Sequence, residues 1–439
     1  MNGAQGVNSG AYPVVIGPGN RYLVDQRGDP VLIVGDAAWS LIVAVTREGV
    51  ATYLDDCAAK GINAILVNLL EAYFAPDPPR TLFGEAPFTV AGDFSTPNEA
   101  YFGYVDWVVG EAARRGILVL LVPTYLGHRN PGGYAETYGS HPEGWYDEVI
   151  ANGVDGCLEF GRFLGRRYGP FDNIVWTMGG DRDPGDALEH TRAMVRGIQE
   201  FDQRHPFTAH VQPEGTPSVE YPDDPWLTVD FTYSYQILHL ALLRDYLRTP
   251  IRPNLMIEST YEFDHNASGV QIRRQAYWSL LCGAAGQFMG GLGLFDFASG
   301  WEGRLDTVGR RAIAHLASLF RGLPWYDLVP DLSRSKEYSR WRDPSLRPFI
   351  TSGVGELRGL DFCSAARTPD GRLAIAYMPT AREIAVDVSQ MAGPLVDATW
   401  FDPITGGRKP GGLWRTSDAA ILTPPAPQDW ALVLQSVLG

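Results

Sequence analysis

Short, unbroken apolar runs recur through the first three quarters of the chain. Eight of them can be marked: 31–36, 63–70, 117–125, 173–178, 207–213, 230–235, 254–259 and 286–295. They are rich in Val, Ile, Leu and Tyr and do not alternate with polar residues, which is the pattern of parallel strands covered on both faces. The segments between them carry helical spacing. Val50, Tyr53, Leu54 and Cys57 recur at i, i+3, i+4 and i+7, with Gly61 at the stop. Thr96-Pro97-Asn98-Glu99 reads as a capping box with proline at the first helical position, followed by Tyr101, Tyr104, Val105 and Val108 on one face. Ile313, Leu316, Ala317 and Phe320 repeat the stripe. Eight strand–helix units predict an α/β fold of the (β/α)8 TIM-barrel type. An open doubly wound sheet is the alternative, but its dinucleotide fingerprint is missing: "GGLGLF" ends a strand with the wrong glycine spacing.

After Pro324 the texture changes. "GLDFCSAART", "GRLAIAYMPT", "EIAVDVS", "VDATWFD", "AILTPP" and "DWALVLQ" are short β-like segments, with hairpin turns expected at "PDGR" (369–372) and "PITGGR" (403–408). This predicts an N-terminal extension over 1–20, a barrel over 21–328 and a C-terminal antiparallel β-sandwich over 329–439.

Composition narrows the partners. The 439 residues are 45% hydrophobic and 20% charged, with a formal charge of -15, so nucleic acid and anionic membrane would both be repelled. No run approaches the ~18 apolar residues of a membrane span. Of 36 basic residues only Lys60, Lys336 and Lys409 are lysines, which reads as genomic background and not as phosphate binding. Cys57, Cys157, Cys282 and Cys363 are far apart and lie in or beside apolar patterns, as buried free thiols do. The start, "MNGAQGVNSGAYPVV", lacks the basic head and apolar stretch of a signal peptide. The expectation is a cytoplasmic protein as the chain stands, secreted if an export signal has been removed.

Reactive groups of a (β/α)8 barrel gather at the C-terminal strand ends. There the sequence offers Asp36 and Trp39, Asn68 and Glu71, Tyr125 and His128, Asp181, His210 and Gln212, Tyr233 and Tyr235, Glu258, and Asp296. Carboxylates, amides and aromatic faces together suit a polyhydroxylated ligand, a glycan. Asp181 and Glu258 each directly follow a strong apolar strand, and strands four and seven lie roughly opposite across a barrel mouth. Glycosidic cleavage needs two such carboxyl groups. Gly179 and Gly180, before Asp181, allow unusual backbone angles and leave room for a ligand. Asp181 as the cap of a helix near Gly185 is the competing reading. "ESTYEFDH" (258–265) holds four metal-ligand types, Glu258, Glu262, Asp264 and His265, but no H-E-x-x-H pattern. No metal or cofactor is expected. G-x-S-x-G and P-loop motifs are absent too.

Three stretches, "NRYLVDQRGDPVLIVGDAAW" (20–39), "STPNEAYFGYVDWVVGEAARRGI" (95–117) and "NIVWTMGGDRDP" (173–184), resemble the apiosidase-like barrel family, the glycoside hydrolase family 140 group. The tail, with "ATWFDPITGG", resembles the β-sandwich that follows this barrel, a module named for collagen binding although nothing here indicates collagen. The resemblance implies retaining hydrolysis, with Asp181 as acid/base, Glu258 as nucleophile, and Asp36 and Trp39 lining the sugar subsite. It implies branched or furanosidic pentoses as substrates. Ala37 stands where the family usually has threonine, and "GAAGQFMGGLGLFDF" lacks the expected Tyr-Gly-His-x-x-Ile-Trp pattern. An arabinofuranoside therefore stands beside an apioside as the expected substrate. A carbohydrate-binding protein on an inactive barrel, anchored by the sandwich, is the rival reading.

Overall fold

The computed structural model describes residues 11–128, 144–333 and 347–437. All eight predicted runs form strands: β1 (Ile33–Ala37), β2 (Ala64–Asn68), β3 (Leu118–Val122), β4 (Ile174–Gly179), β5 (Phe207–His210), β6 (Asp230–Tyr233), β7 (Asn254–Glu258) and β8 (Gly286–Met289). They pair in parallel in the order β5-β4-β3-β2-β1-β8-β7-β6. Every residue in them is buried, as the unbroken apolar runs require.

The barrel is nearly closed, with its seam between β5 and β6. There the amides of Thr228 and Val229 donate to the Phe207 carbonyl at 3.0 and 3.1 Å, and the Glu214 amide donates to the Tyr233 carbonyl at 2.9 Å. Seven connections carry a full helix: α1 (Arg47–Ala59), α2 (Glu99–Arg114), α3 (Tyr146–Tyr168), α4 (Leu188–Gln199), α5 (Leu238–Tyr246), α6 (Gly269–Leu281) and α7 (Val308–Arg321). The β5–β6 connection has only the single turn Pro217–Glu220. Prolines 213, 217, 222 and 225 interrupt that segment, and each removes an amide that a longer helix would need.

The helical stripes bury the residues their spacing selects: Val50, Tyr53, Leu54 and Cys57 on α1, and Ile313, Leu316, Ala317 and Phe320 on α7. The start of α2 differs from expectation. Its cap is Asn98, which accepts the Ala100 amide at 3.1 Å, while the Thr96 hydroxyl turns back to the Asp93 carbonyl at 3.0 Å. Thr96 is thus spent on the preceding turn, and Pro97 lies outside the helix.

The C-terminal part is an antiparallel sandwich of one six-stranded and one three-stranded sheet. Its hairpins turn at 369–372 and 403–408, between paired strands. Strand Leu373–Met378 is buried along its whole length because both its faces are covered. Leu373, Ile375 and Tyr377 join the barrel's core, while Ala374, Ala376 and Met378 join the sandwich's own. All four cysteines are buried and free.

Candidate active site

The end of β4 explains the two glycines before Asp181. Gly179, Gly180 and Asp181 all take positive φ, at 86°, 146° and 45°. A Cβ on Gly179 would lie 2.5 Å from the His210 carbonyl oxygen, and one on Gly180 would lie 2.3 Å from the Tyr125 ring. The unusual backbone angles were expected, but the space is filled by these two neighbours and not by ligand. The same close approach positions the acid. The Tyr125 hydroxyl donates to Asp181 Oδ2 at 2.6 Å. Asp181 does not cap the turn at Gly185–Ala187, which has no side-chain cap. A left-handed aspartate costs on the order of 1–2 kcal/mol, and packing on both sides sustains it.

His210, on β5, ties the two acids together. Its Nδ1 accepts the Asp181 amide at 3.1 Å, and its Nε2 lies 3.2 Å from Glu258 Oε2. With Nδ1 occupied as an acceptor, the neutral ring carries its proton on Nε2 and donates it to Glu258. Burial alone disfavours a charged His210, but the Glu258 hydrogen bond and both carboxylate charges outweigh it and raise its pKa. A second proton would have to displace the Asp181 amide from Nδ1, so the geometry selects the neutral form.

Glu258 ends β7 and is buried, at 5% exposure. Tyr235 donates to its Oε1 at 3.2 Å, and Tyr233 donates to the Tyr235 hydroxyl at 3.1 Å. Of the two strand-end tyrosines, Tyr235 thus sits on the acid and Tyr233 behind it. Burial, then the charge of Asp181, raises the Glu258 carboxyl above the ordinary range, while bonds from His210 and Tyr261 oppose the rise. One oxygen of Asp181, one of Glu258 and a ring nitrogen of His210 all lie within 4.8 Å of one another. Such a cluster resembles a metal site, but both His210 nitrogens are engaged in the hydrogen bonds just described. The four ligand types of "ESTYEFDH" form no common cluster among the described residues. Glu262 accepts the Thr307 hydroxyl and the Gly309 amide at 2.5 and 2.7 Å, and His265 is 85% exposed beside Asp264.

Both acids open on a cavity of about 260 Å³. Its inner wall is aromatic: Trp39, Phe74, Tyr233, Tyr261 and Phe295, all buried. Trp39 is fixed by its indole N–H, which donates to the Tyr261 hydroxyl at 2.8 Å. Of the residues expected at the strand ends, Trp39, His128, Asp181, Tyr233, Tyr235 and Glu258 line the cavity.

The others do not line the cavity. Asp36 is wholly buried, accepts the Tyr53 hydroxyl at 2.8 Å and pairs with Arg310, so it ties β1 to α1 and α7. Asn68 donates to Glu71 Oε2 at 3.1 Å and supports the loop after β2. Tyr125 and His210 hold the acids and do not line the cavity. Gln212 sits on the exposed start of the β5–β6 connection, outside the cavity wall. Asp296 is buried without lining the cavity; its neighbour Phe295 lines it instead.

The strand ends do not point to Phe74, Tyr261 and Phe295 on the cavity wall, or to Glu214 behind it. Glu71 accepts the amides of Ala72, Tyr73 and Phe74 at 2.9, 2.9 and 3.1 Å, which curls that loop and presents Phe74. Glu214, at φ 66°, accepts the Ser234 hydroxyl and the Tyr235 and Gln236 amides at 2.7, 2.8 and 3.1 Å. It braces the segment that carries Tyr235. The aromatic residues were visible in "EAYFAP", "ESTYEF" and "GLFDF", a few positions beyond the strand ends.

Comparison with known proteins decides the family. The model of the apiosidase-like catalytic domain matches residues 18–327. The chain belongs to the apiosidase-like family. This apiosidase-like chain also matches, over 354–435, the family described as "Putative collagen-binding domain of a collagenase". A solved glycoside hydrolase family 5 protein from Bacteroides vulgatus superposes with a TM-score of 0.81 at 21% identity, covering 96% of this chain and 93% of that one. Another solved structure, named a glycoside hydrolase, gives 0.80 at 21% identity and covers 97% of each chain. These likenesses establish a shared two-part fold. No curated protein matches. The apiosidase-like domain makes the chain a glycosidase-type enzyme, with a glycan as its class of substrate. Among the described residues no helix is long and apolar enough to cross a membrane.

Proposed function

We propose that this chain is a retaining, exo-acting glycoside hydrolase that removes a terminal pentofuranose, apiose- or arabinofuranose-like, from a glycan. Glu258 attacks the anomeric carbon, and Asp181 protonates the leaving oxygen. Asp181 then takes a proton from the water that releases the sugar from Glu258. The observation that carries this reading is the closeness of the acids, whose oxygens approach within 4.8 Å. Retaining enzymes hold their carboxyl groups ~5–5.5 Å apart, whereas inverting enzymes leave ~6.5–9.5 Å for a water.

Donor count supports the division of roles. Glu258 receives hydrogen bonds from Tyr235 and His210, which favour the carboxylate a nucleophile needs. Asp181 receives one from Tyr125, and its buried Oδ1 accepts none within the described residues. The cavity, about 260 Å³ with an aromatic inner wall, is below the ~300–1,000 Å³ of drug-sized pockets and suits a chain end better than a long polymer.

A panel of aryl pentofuranosides and pentose-bearing polysaccharides tests the reading. Release of a terminal pentose is expected, with turnover lowered at least ~10²-fold in Asp181→Asn and Glu258→Gln. Near-normal turnover in either variant removes that residue's role. A sugar that binds in calorimetry but is never cleaved favours the binding-protein reading.

A further inference from the structure

We infer that the rim loop after β7 is a subsite for a sugar leaving group, with Asp264 and His265 as the residues that select it. The inference rests on the glycosidase reading and adds what stands on the far side of the scissile bond.

The loop is strained and tightly held. Phe263, His265 and Asn266 take φ of 72°, 47° and 62°, and each left-handed non-glycine residue costs on the order of 1 kcal/mol or more. Such strain persists only where the surroundings impose it. Here the imposing group is Glu262. Its carboxylate is bound by Thr307 and Gly309 at the start of α7, and its backbone is bonded to Gly290 and Leu292 at 2.8 and 2.9 Å. The loop then closes on itself, Phe263 N to Ala267 O and Ala267 N to Asp264 O, both at 2.8 Å.

The outcome is that Asp264 and His265 line the cavity that holds Asp181 and Glu258. The inner wall is aromatic and buried. The rim differs, because His265 is 85% exposed, Tyr235 43% and Leu292 39%. Asp264 Oδ1 stands 3.0 Å from His265 Nδ1, so the two side chains form one polar pair at the rim. An aromatic face, an aliphatic patch and an imidazole–carboxylate pair side by side match a sugar ring, which offers a C–H face and hydroxyls. A phenol or simple alcohol would use the face and leave the pair unused.

The test compares two substrates with the same terminal sugar, one an oligosaccharide and one a 4-nitrophenyl glycoside. The readout is the ratio of their kcat/KM values in the wild type and in His265→Ala, Asp264→Ala and His265→Gln. The alanine variants should lower the oligosaccharide-to-aryl ratio about tenfold, through KM, as expected when hydrogen bonds to a sugar are lost. His265→Gln, which keeps a donor and an acceptor, should recover part of it. A merely structural role would lower both substrates together and leave the ratio unchanged. An unchanged ratio with an active wild type overturns the subsite alone. A wild type that cleaves neither substrate overturns the subsite and the glycosidase reading together.

Discussion

At the residue scale, the reactive pair is built by neighbours as much as by the acids themselves. Tyr125 is the sole side-chain donor to Asp181 among the described residues, and burial with nearby carboxylates keeps its phenol protonated. Tyr125→Phe should lower kcat/KM about ten- to a hundredfold, the worth of one hydrogen bond to a charged group. Steady-state rates on an activated aryl glycoside check this. The pH profile carries a second consequence. Glu258 must be ionised to attack, and its pKa is raised by burial and by Asp181. Activity is therefore lost as pH falls through a value above the ordinary glutamate range. Asp181→Asn removes the neighbouring charge, so with a leaving group that needs no proton the acidic limb should move to lower pH. A limb that stays in place or moves upward contradicts the electrostatic coupling.

At the element scale, β4 and β1 show two uses of the same position. Each brings an Asp to the C-terminal end of an apolar run, Asp36 inside β1 and Asp181 two residues past β4, and the sequence expects both at the site. They differ in which way the chain turns. Two positive-φ glycines swing Asp181 to the cavity, whereas Asp36 points to Arg310 on α7, which also bonds Asp56 at 2.8 Å. The long-range partner, 274 positions away, leaves no local trace, so the ion pair was not legible. Arg310→Leu should cost about 3–5 kcal/mol by stranding a buried carboxylate, read as a lower denaturant midpoint. Gly180→Ala should be comparably damaging for another reason, a Cβ driven into Tyr125. The eight strands were legible because barrel strands are buried on both faces. The missing β5–β6 helix and the shifted α2 cap were not, since proline spacing and a competing turn at Thr96 outweigh the simple signals.

At the scale of the whole molecule, the sandwich is joined to the barrel by a shared core. Arg273 on α6 forms a buried bidentate pair with Asp429 at 2.7 and 2.8 Å, and Tyr377 donates to the same carboxylate at 2.8 Å. The Tyr277 and Tyr377 rings stack at 4.4 Å. The Trp278 indole donates to the Phe362 carbonyl at 3.1 Å. The change of texture after Pro324 announces two folded parts, but the join depends on residues 156 positions apart, which no local pattern reveals. Arg273→Met should destabilise by about 3–5 kcal/mol, and the two parts should melt together in calorimetry. Two separate transitions in the wild type would count against the common core. The central claim, that Asp181 and Glu258 act as a retaining pair, is tested most directly by proton NMR of the first sugar released, before mutarotation. The account predicts the anomeric configuration of the substrate; the opposite anomer would contradict it.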